Sequence, residues 1–243
     1  MEGVFYQVST LNALMLGNFD GVVPVRELLR HGSWGIGTYE GLDGEAVIRD
    51  GAAFDARATG EVQTMPGDAR VAFSTVADFS ARAGSFELDG VGGEDSMGAV
   101  RSSLERERAA YDDNDNAWFL VAMRGCFPSV HVRSCFKVEE KPYPMLPEVA
   151  SCQREFRYTD ERGWVIGVWV PAYLSGINLP GWHLHFLSED HERGGHLLGL
   201  SLGHAAGRME SFSRYEMVMP VNPEFRKLDL TCDLREDTAS VEG

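Results

Sequence analysis

Three histidines lie close together in the stretch GWHLHFLSEDHERGGHLLG, residues 181–199. His183 and His185 are two residues apart, and residues with this spacing in a β-strand project from the same face. The polar, glycine-ended segment that follows predicts a turn, after which His196 begins a second apolar run. A hairpin centred between residues 190 and 191 would put His196 directly opposite His185, with Cβ atoms about 4.5–5.5 Å apart. All three imidazoles could then bind one metal ion.

Three protein nitrogens leave positions open on a zinc-like ion, as in catalytic rather than structural sites. The spacing also allows other interpretations. The same histidines could bind a metal in a non-catalytic barrel, or could form ordinary hydrogen bonds in a hairpin. An HxH pair with a later histidine also occurs in cupin-like Fe(II) dioxygenases, which usually add a glutamate a few residues further on. Glu189, four residues after His185, stands at such a position.

The elements that would position this hairpin follow from the patterns around it. The first 32 residues predict helices, and the glycine-punctuated residues 35–56 predict short strands. Further along, the patterns predict a strand at 69–79, a helix at 95–114 and two strands at 117–125 and 129–140.

A proline-rich segment, KPYPMLPE at residues 141–148, predicts a boundary between two halves of the chain. Strand patterns joined by turns follow it, as in a small barrel or sandwich, and the polar tail predicts a short helix or coil. We therefore predict an α+β domain over residues 1–147 and an antiparallel β domain over residues 148–243.

The composition limits the classes of partner. The chain has 243 residues, 44% of them hydrophobic, and a net charge of −15. This charge repels phosphate backbones and anionic membranes, so we expect neither nucleic-acid nor membrane binding. No apolar run reaches the roughly 20 residues that span a bilayer, and the first residues lack the positive charge of a secretory signal. We expect a cytoplasmic protein with free cysteines, in which an anionic substrate would need a local positive centre.

Three separate segments carry a resemblance to a known family. They are GIGTYEGLDGE (residues 35–45), VRSCFKVEEKPYPML (132–146) and the histidine stretch (181–199). Together they resemble the α-acetolactate decarboxylases over nearly the whole chain. The resemblance implies a mixed β-sheet with helices, coupled to a small C-terminal antiparallel β-barrel that carries the metal. It also implies a homodimer and a zinc ion held by His183, His185 and His196.

The resemblance further implies a reaction and its residues. The family converts (S)-2-hydroxy-2-methyl-3-oxobutanoate (acetolactate) to (R)-acetoin and CO2, a step towards acetoin and butanediol. Glu45 and Thr38 match an active-site glutamate and a polar pocket residue of the family, and Arg133 matches its arginine. A glutamate near the C-terminus also reaches the site in this family. Here Glu242 is the best match and Glu236 is the reserve candidate.

These residue types suit the decarboxylation of a small anionic 2-hydroxy-3-oxo acid. Loss of CO2 leaves an electron pair that a Lewis acid at the ketone oxygen stabilises without an organic cofactor. Arg133 offers a planar fork for a carboxylate or enolate oxygen. Protonation on one face requires a positioned acid, for which Glu45 and Glu242 are the candidates.

Overall fold

β-Strands are the main secondary structure of the chain. The computed structural model describes residues 3–93 and 97–242, without the side chains of Ser240 and Glu242. The strands in these ranges are β1 (Phe5–Val8), β2 (Val23–Pro24), β3 (Trp34–Tyr39), β4 (Glu45–Arg49), β5 (Ala52–Ala56), β6 (Val62–Thr64), β7 (Arg70–Ala77), β8 (Gly84–Val91), β9 (Trp118–Ser134), β10 (Arg154–Val170), β11 (Gly181–Ser188), β12 (Gly194–Phe212) and β13 (Tyr215–Val218). The helices are α1 (Leu11–Met15), α2 (Val25–Leu28), α3 (Met97–Tyr111), α4 (Leu146–Ala150) and α5 (Arg235–Glu242).

The strands form two sheets. In the first sheet the order is β13-β1-β7-β3-β4-β5-β6, with β2 also paired to β7, and β1 and β13 run parallel. In the second sheet the order is β11-β10-β9-β12-β8, and β11 pairs with β12 as well. All described strand pairings of the second sheet are antiparallel. The protein is therefore a mixed α+β fold that is mostly sheet, as the sequence predicted in outline.

The second sheet is buried on both faces, because its side chains alternate between two cores. Leu120 and Ala122 of β9 pack towards the first sheet. Val121 and Met123, which alternate with these two residues along β9, pack on the other face with Leu104 of α3. This two-sided burial explains the continuous apolar runs at residues 118–123 of β9 and 164–170 of β10, whereas the first half of β10 and residues 203–208 of β12 include exposed side chains.

The alternation in β9 changes phase near Pro128. Phe127 and Val130 both pack into the core that contains α3, although they are three residues apart. Pro128 has no N–H to donate to a ladder, and Asp160 on the neighbouring β10 has a φ of 55°. This irregularity determines which face of the second sheet carries the residues at the end of β9, including Arg133.

Two local predictions were corrected by the structure, and one of the two alternatives for the tail was confirmed. Residues Phe5–Val8 form a strand rather than a helix, because aromatic and β-branched side chains there are buried between β7 and β13. The two strands predicted at 117–125 and 129–140 are one strand, β9, since β10 and β12 pair with it on both sides. The tail forms the short helix α5.

The proline-rich segment at 141–148 does not separate the two sheets. Strands β8 and β9 precede it and belong to the second sheet, whereas β13 follows it and joins the first. Each sheet thus draws strands from both sides of the predicted boundary between residues 147 and 148. In the described part of the chain, no helix has the length and apolar character needed to cross a bilayer.

Candidate metal centre

The hairpin of β11 and β12 has the predicted register. His185 pairs directly with His196, and Leu187 pairs with Gly194. Side-chain hydrogen bonding closes the turn, because Ser188 Oγ accepts from the backbone N–H of Arg193 at 2.9 Å. The prediction that His196 lies opposite His185 is confirmed.

Gly195 lets this hairpin approach its neighbour β9 closely. Its φ is +145°, and an added Cβ would lie 2.7 Å from the carbonyl oxygen of Arg133. A side chain at this position would push β12 away from β9. The glycine therefore helps to place His196 directly opposite Arg133 across the ladder.

The nitrogens of the three histidines converge on one point. His183 Nε2 lies 3.1 Å from His185 Nε2 and 3.0 Å from His196 Nδ1. All three residues are buried, and they form a group whose candidate ligand atoms lie within 4.8 Å of one another. Tetrahedral bonds of about 2.05 Å place two ligand nitrogens about 3.3 Å apart. The donor set therefore fits one small divalent cation closely.

The tautomer of His185 suits metal binding. His185 Nδ1 lies 2.9 Å from the backbone carbonyl oxygen of Ala46. A carbonyl can only accept, so Nδ1 carries the proton and the lone pair of Nε2 points to the other histidines. Hydrogen bonding of this kind from the second nitrogen is the usual way in which a ligating imidazole is oriented. It also ties the metal centre to β4 of the other sheet.

The surroundings keep the imidazoles of His183 and His196 neutral. Burial lowers the pKa of His183 from 6.5 to about 3, with Arg133 and Arg101 contributing in the same direction. Burial and Arg133 also hold the pKa of His196 well below its ordinary value. Neutral imidazoles are the form that binds metal. The two arginines create a positive region in a chain whose net charge is −15.

Glu45 reaches the histidines from the first sheet. It begins β4, and its Oε2 lies 3.6 Å from His185 Nε2, with 12% of its side chain exposed. The preceding Gly44 has a φ of +67°, and an added Cβ there would lie 1.8 Å from Asp55 Oδ1. The GLDGE motif therefore needs its second glycine to form the tight turn that delivers Glu45.

Arg133 and Thr38 lie in the same cavity as Glu45 and His183. Arg133 is 2% exposed, and its Nη1 donates to Gln153 Oε1 at 3.0 Å. Thr38 is also buried, and its hydroxyl donates to the carbonyl oxygen of Gly44 at 2.8 Å. Thr38 thus both lines the cavity and supports the turn before Glu45.

The rest of the cavity wall is apolar and was not anticipated from the sequence. It consists of Leu11, Leu14, Leu42, Phe73, Cys135 and Leu146. These residues come from five separate parts of the chain and belong to one buried cluster. Each has an ordinary core residue type, so no local pattern distinguishes it. The cavity consequently has one ionisable side and one apolar side.

The two C-terminal candidates both lie in α5. Glu242 is the last residue of α5, and its side chain lies outside the described residues. Glu236 is exposed near the start of the same helix.

Glu189, the glutamate of the cupin alternative, is 43% exposed and forms an ion pair with Arg124. It is not a member of the histidine group.

Known proteins resemble this chain along nearly its full length. A family model described as alpha-acetolactate decarboxylase matches residues 5–232. The alpha-acetolactate decarboxylase of Methanosarcina mazei is 35% identical, over 98% of this chain and 80% of its own length. That of Brevibacillus brevis is 31% identical, over 95% and 78% respectively.

A solved structure agrees with the sequence matches. The alpha-acetolactate decarboxylase from Bacillus subtilis strain 168 superposes with a TM-score of 0.90 at 27% identity. The superposition covers 98% of this chain and 99% of that one. On the extent of the family match and the similarity to its members, the chain belongs to the alpha-acetolactate decarboxylase family.

Proposed function

We propose that this protein catalyses the zinc-dependent decarboxylation of acetolactate to (R)-acetoin and CO2. The observation that carries the proposal is the convergence of three buried histidines with Glu45 and Arg133. Family membership supports the choice of substrate. The cupin alternative loses its support, because Glu189 pairs with Arg124 away from the histidine group.

A divalent cation on His183, His185 and His196 would supply a Lewis acid for negative charge that develops on the substrate oxygens. Arg133 binds the anionic acid, since its guanidinium is buried and fork-shaped. Gln153 restrains that guanidinium through the hydrogen bond to Nη1. The apolar wall receives the alkyl groups and excludes water from the reacting carbons.

The reaction requires one proton at carbon. When the bond to the carboxylate breaks, its electron pair moves towards the ketone carbon and oxygen, and CO2 leaves. The carbon that carried the carboxylate must then be protonated from a single side to give one enantiomer. Glu45 is the carboxyl group closest to the histidines among the described side chains, and we assign it this role together with Glu242.

A direct assay tests the proposed function. Purified zinc-loaded protein is incubated with racemic acetolactate, and acetoin is measured by colorimetry and by chiral chromatography. We expect acetoin well above the spontaneous rate, with the (R)-enantiomer predominating. No acetoin above that rate, with zinc confirmed by elemental analysis, would contradict the proposal.

A pair of variants tests the metal ligands. His183→Ala should lose both bound zinc and activity, because it removes the nitrogen that lies within 3.1 Å of the other two. His204→Ala is the matched control, since His204 is exposed on β12 and its ion-pair partner among the described residues is Asp89. Stoichiometric zinc in His183→Ala would show that the ligand set is wrong. Zinc binding without any turnover in the unmodified protein would favour a non-catalytic metal-binding role.

Several finer expectations accompany the proposal. The pairing of β11 with both β10 and β12 supports a small barrel around the metal centre. The resemblance to the family supports a homodimer and a role in forming acetoin and butanediol. The acidic composition supports a protein without nucleic-acid partners, and a cytoplasmic location stays a prediction.

A further inference from the structure

The turn that carries Glu45 is held from two directions. On the side of the histidines, Thr38 and His185 bind the backbone carbonyls before and after Glu45. On the other side, Asp43 accepts a hydrogen bond from Arg57 Nη2 at 3.1 Å. Arg57 lies beyond the end of β5 and is not part of the cavity lining.

Arg57 also binds a carboxylate inside the protein. Its Nε donates to Asp55 Oδ2 at 2.8 Å, and the Asp55 side chain is fully buried. The other oxygen of Asp55 packs directly against Gly44, where an added Cβ would lie 1.8 Å away. Arg57 thereby links Asp43 to the buried Asp55 carboxylate, which packs against Gly44.

The buried Asp55 carboxylate is not itself a source of stability at neutral pH. Burial raises the pKa of Asp55 to about 6, even though the hydrogen bond from Arg57 lowers it. A carboxylate whose pKa is raised on folding lowers stability when it is ionised. Buried ion pairs are in general weak stabilisers, but they do fix the relative positions of the groups that they join.

We propose that Arg57 is a positioning residue for Glu45. By joining Asp43 to Asp55, it locks the turn at residues 43–45 and holds the Glu45 carboxylate beside His185. The inference rests on the proposed function, because it concerns the geometry of the proposed proton donor. Proton transfer to carbon is sensitive to such geometry, since a misplacement of about 1 Å can cost about a hundredfold in rate.

Two variants weaken the link in different ways. Asp43→Asn removes one charge from a side chain that is 16% exposed, and leaves the buried pair intact. Arg57→Lys keeps the charge but replaces the fork, which reaches both carboxylates, with a single point donor. Asp50→Asn is the matched control. Asp50 is exposed in the turn at the opposite end of β4, and its φ of 49° is one that asparagine tolerates.

The zinc-loaded variants are compared by kcat, KM, zinc content and the enantiomer ratio of acetoin. For Asp43→Asn we expect kcat to fall at least tenfold, with KM within twofold and zinc content unchanged. The (R)-enantiomer should also lose purity, because a displaced acid protonates both faces. Arg57→Lys should show the same changes to a smaller extent, and Asp50→Asn should match the unmodified protein.

A second readout is independent of turnover. Hydrogen–deuterium exchange of a peptide covering residues 40–48 should be faster in Asp43→Asn than in the unmodified protein or in Asp50→Asn. Unchanged exchange together with unchanged kcat and enantiomer ratio would overturn the inference, as would a loss of activity fully explained by lost zinc. If the unmodified protein makes no acetoin, the proposed function fails. The exchange result then decides alone whether Arg57 holds the turn.

Discussion

Acidification should destabilise the metal-free protein through His183. Its pKa is about 3 in the folded state because of burial, against 6.5 ordinarily. The unfolded chain therefore binds a proton between these values and the folded chain does not. The stability that His183 contributes is complete above pH 6.5 and is lost as the pH falls towards 3.

The magnitude follows from these two values. Between pH 7.5 and pH 5.5 the free energy of unfolding should fall by about 1.4 kcal/mol on account of His183. Asp55 acts in the opposite direction, because its pKa is raised to about 6 on folding. Over the same interval its protonation should restore about 0.8 kcal/mol. The two effects would partly cancel in the unmodified protein, leaving a net loss of about 0.6 kcal/mol, so a comparison with a variant is needed.

The comparison uses His183→Gln, in which Asp55 and all other groups are retained. Both proteins are stripped of metal and unfolded in urea at the two pH values, and the fluorescence of the five tryptophans reports unfolding. The unmodified protein should lose about 1.4 kcal/mol more than His183→Gln between pH 7.5 and pH 5.5. Parallel losses in the two proteins would refute the description of His183 as a desolvated, neutral imidazole. Added zinc at pH 7.5 should stabilise the unmodified protein more than the variant.

The remaining predictions concern the turn at Gly44 and the two glutamates. Gly44→Ala should destabilise the protein more than Gly51→Ala in urea unfolding. Both positions have positive φ, but only at Gly44 does an added Cβ meet other atoms, at 1.8 Å from Asp55 Oδ1; equal losses would contradict the close packing. Glu45→Gln should retain zinc and lose about a hundredfold or more in kcat, and wild-type turnover would remove it as the proton donor. Glu242→Gln should lower kcat without lowering the urea midpoint, and an unchanged kcat would place the second acid elsewhere.

The histidine hairpin could be predicted from the sequence because its information is local. Alternation along β11 placed His183 and His185 on one face, and the polar turn between the strands fixed the register with His196. Register in such a hairpin is strongly specified, since a shift by one residue would turn every side chain to the opposite face. The glycine-rich GLDGE segment likewise indicated a tight turn before Glu45.

The approach of Glu45 to the histidines could not be derived from these patterns, because 140 residues separate it from His185 and the two lie in different sheets. The family resemblance supplied the pairing, but only the packing of β4 against β11 shows the 3.6 Å contact and the hydrogen bond to Ala46. The orientation of Arg133 depends on the change of phase near Pro128, which simple alternation does not predict.

Local chemistry thus determined the hairpin, the turn and the candidate residue types. The tertiary structure decided which faces meet, where the apolar wall lies, and that Arg57 joins Asp43 to a buried Asp55. The physical reason is that strand alternation and turn geometry depend on neighbouring residues. The contact between sheets is set instead by the burial of side chains that are distant in sequence.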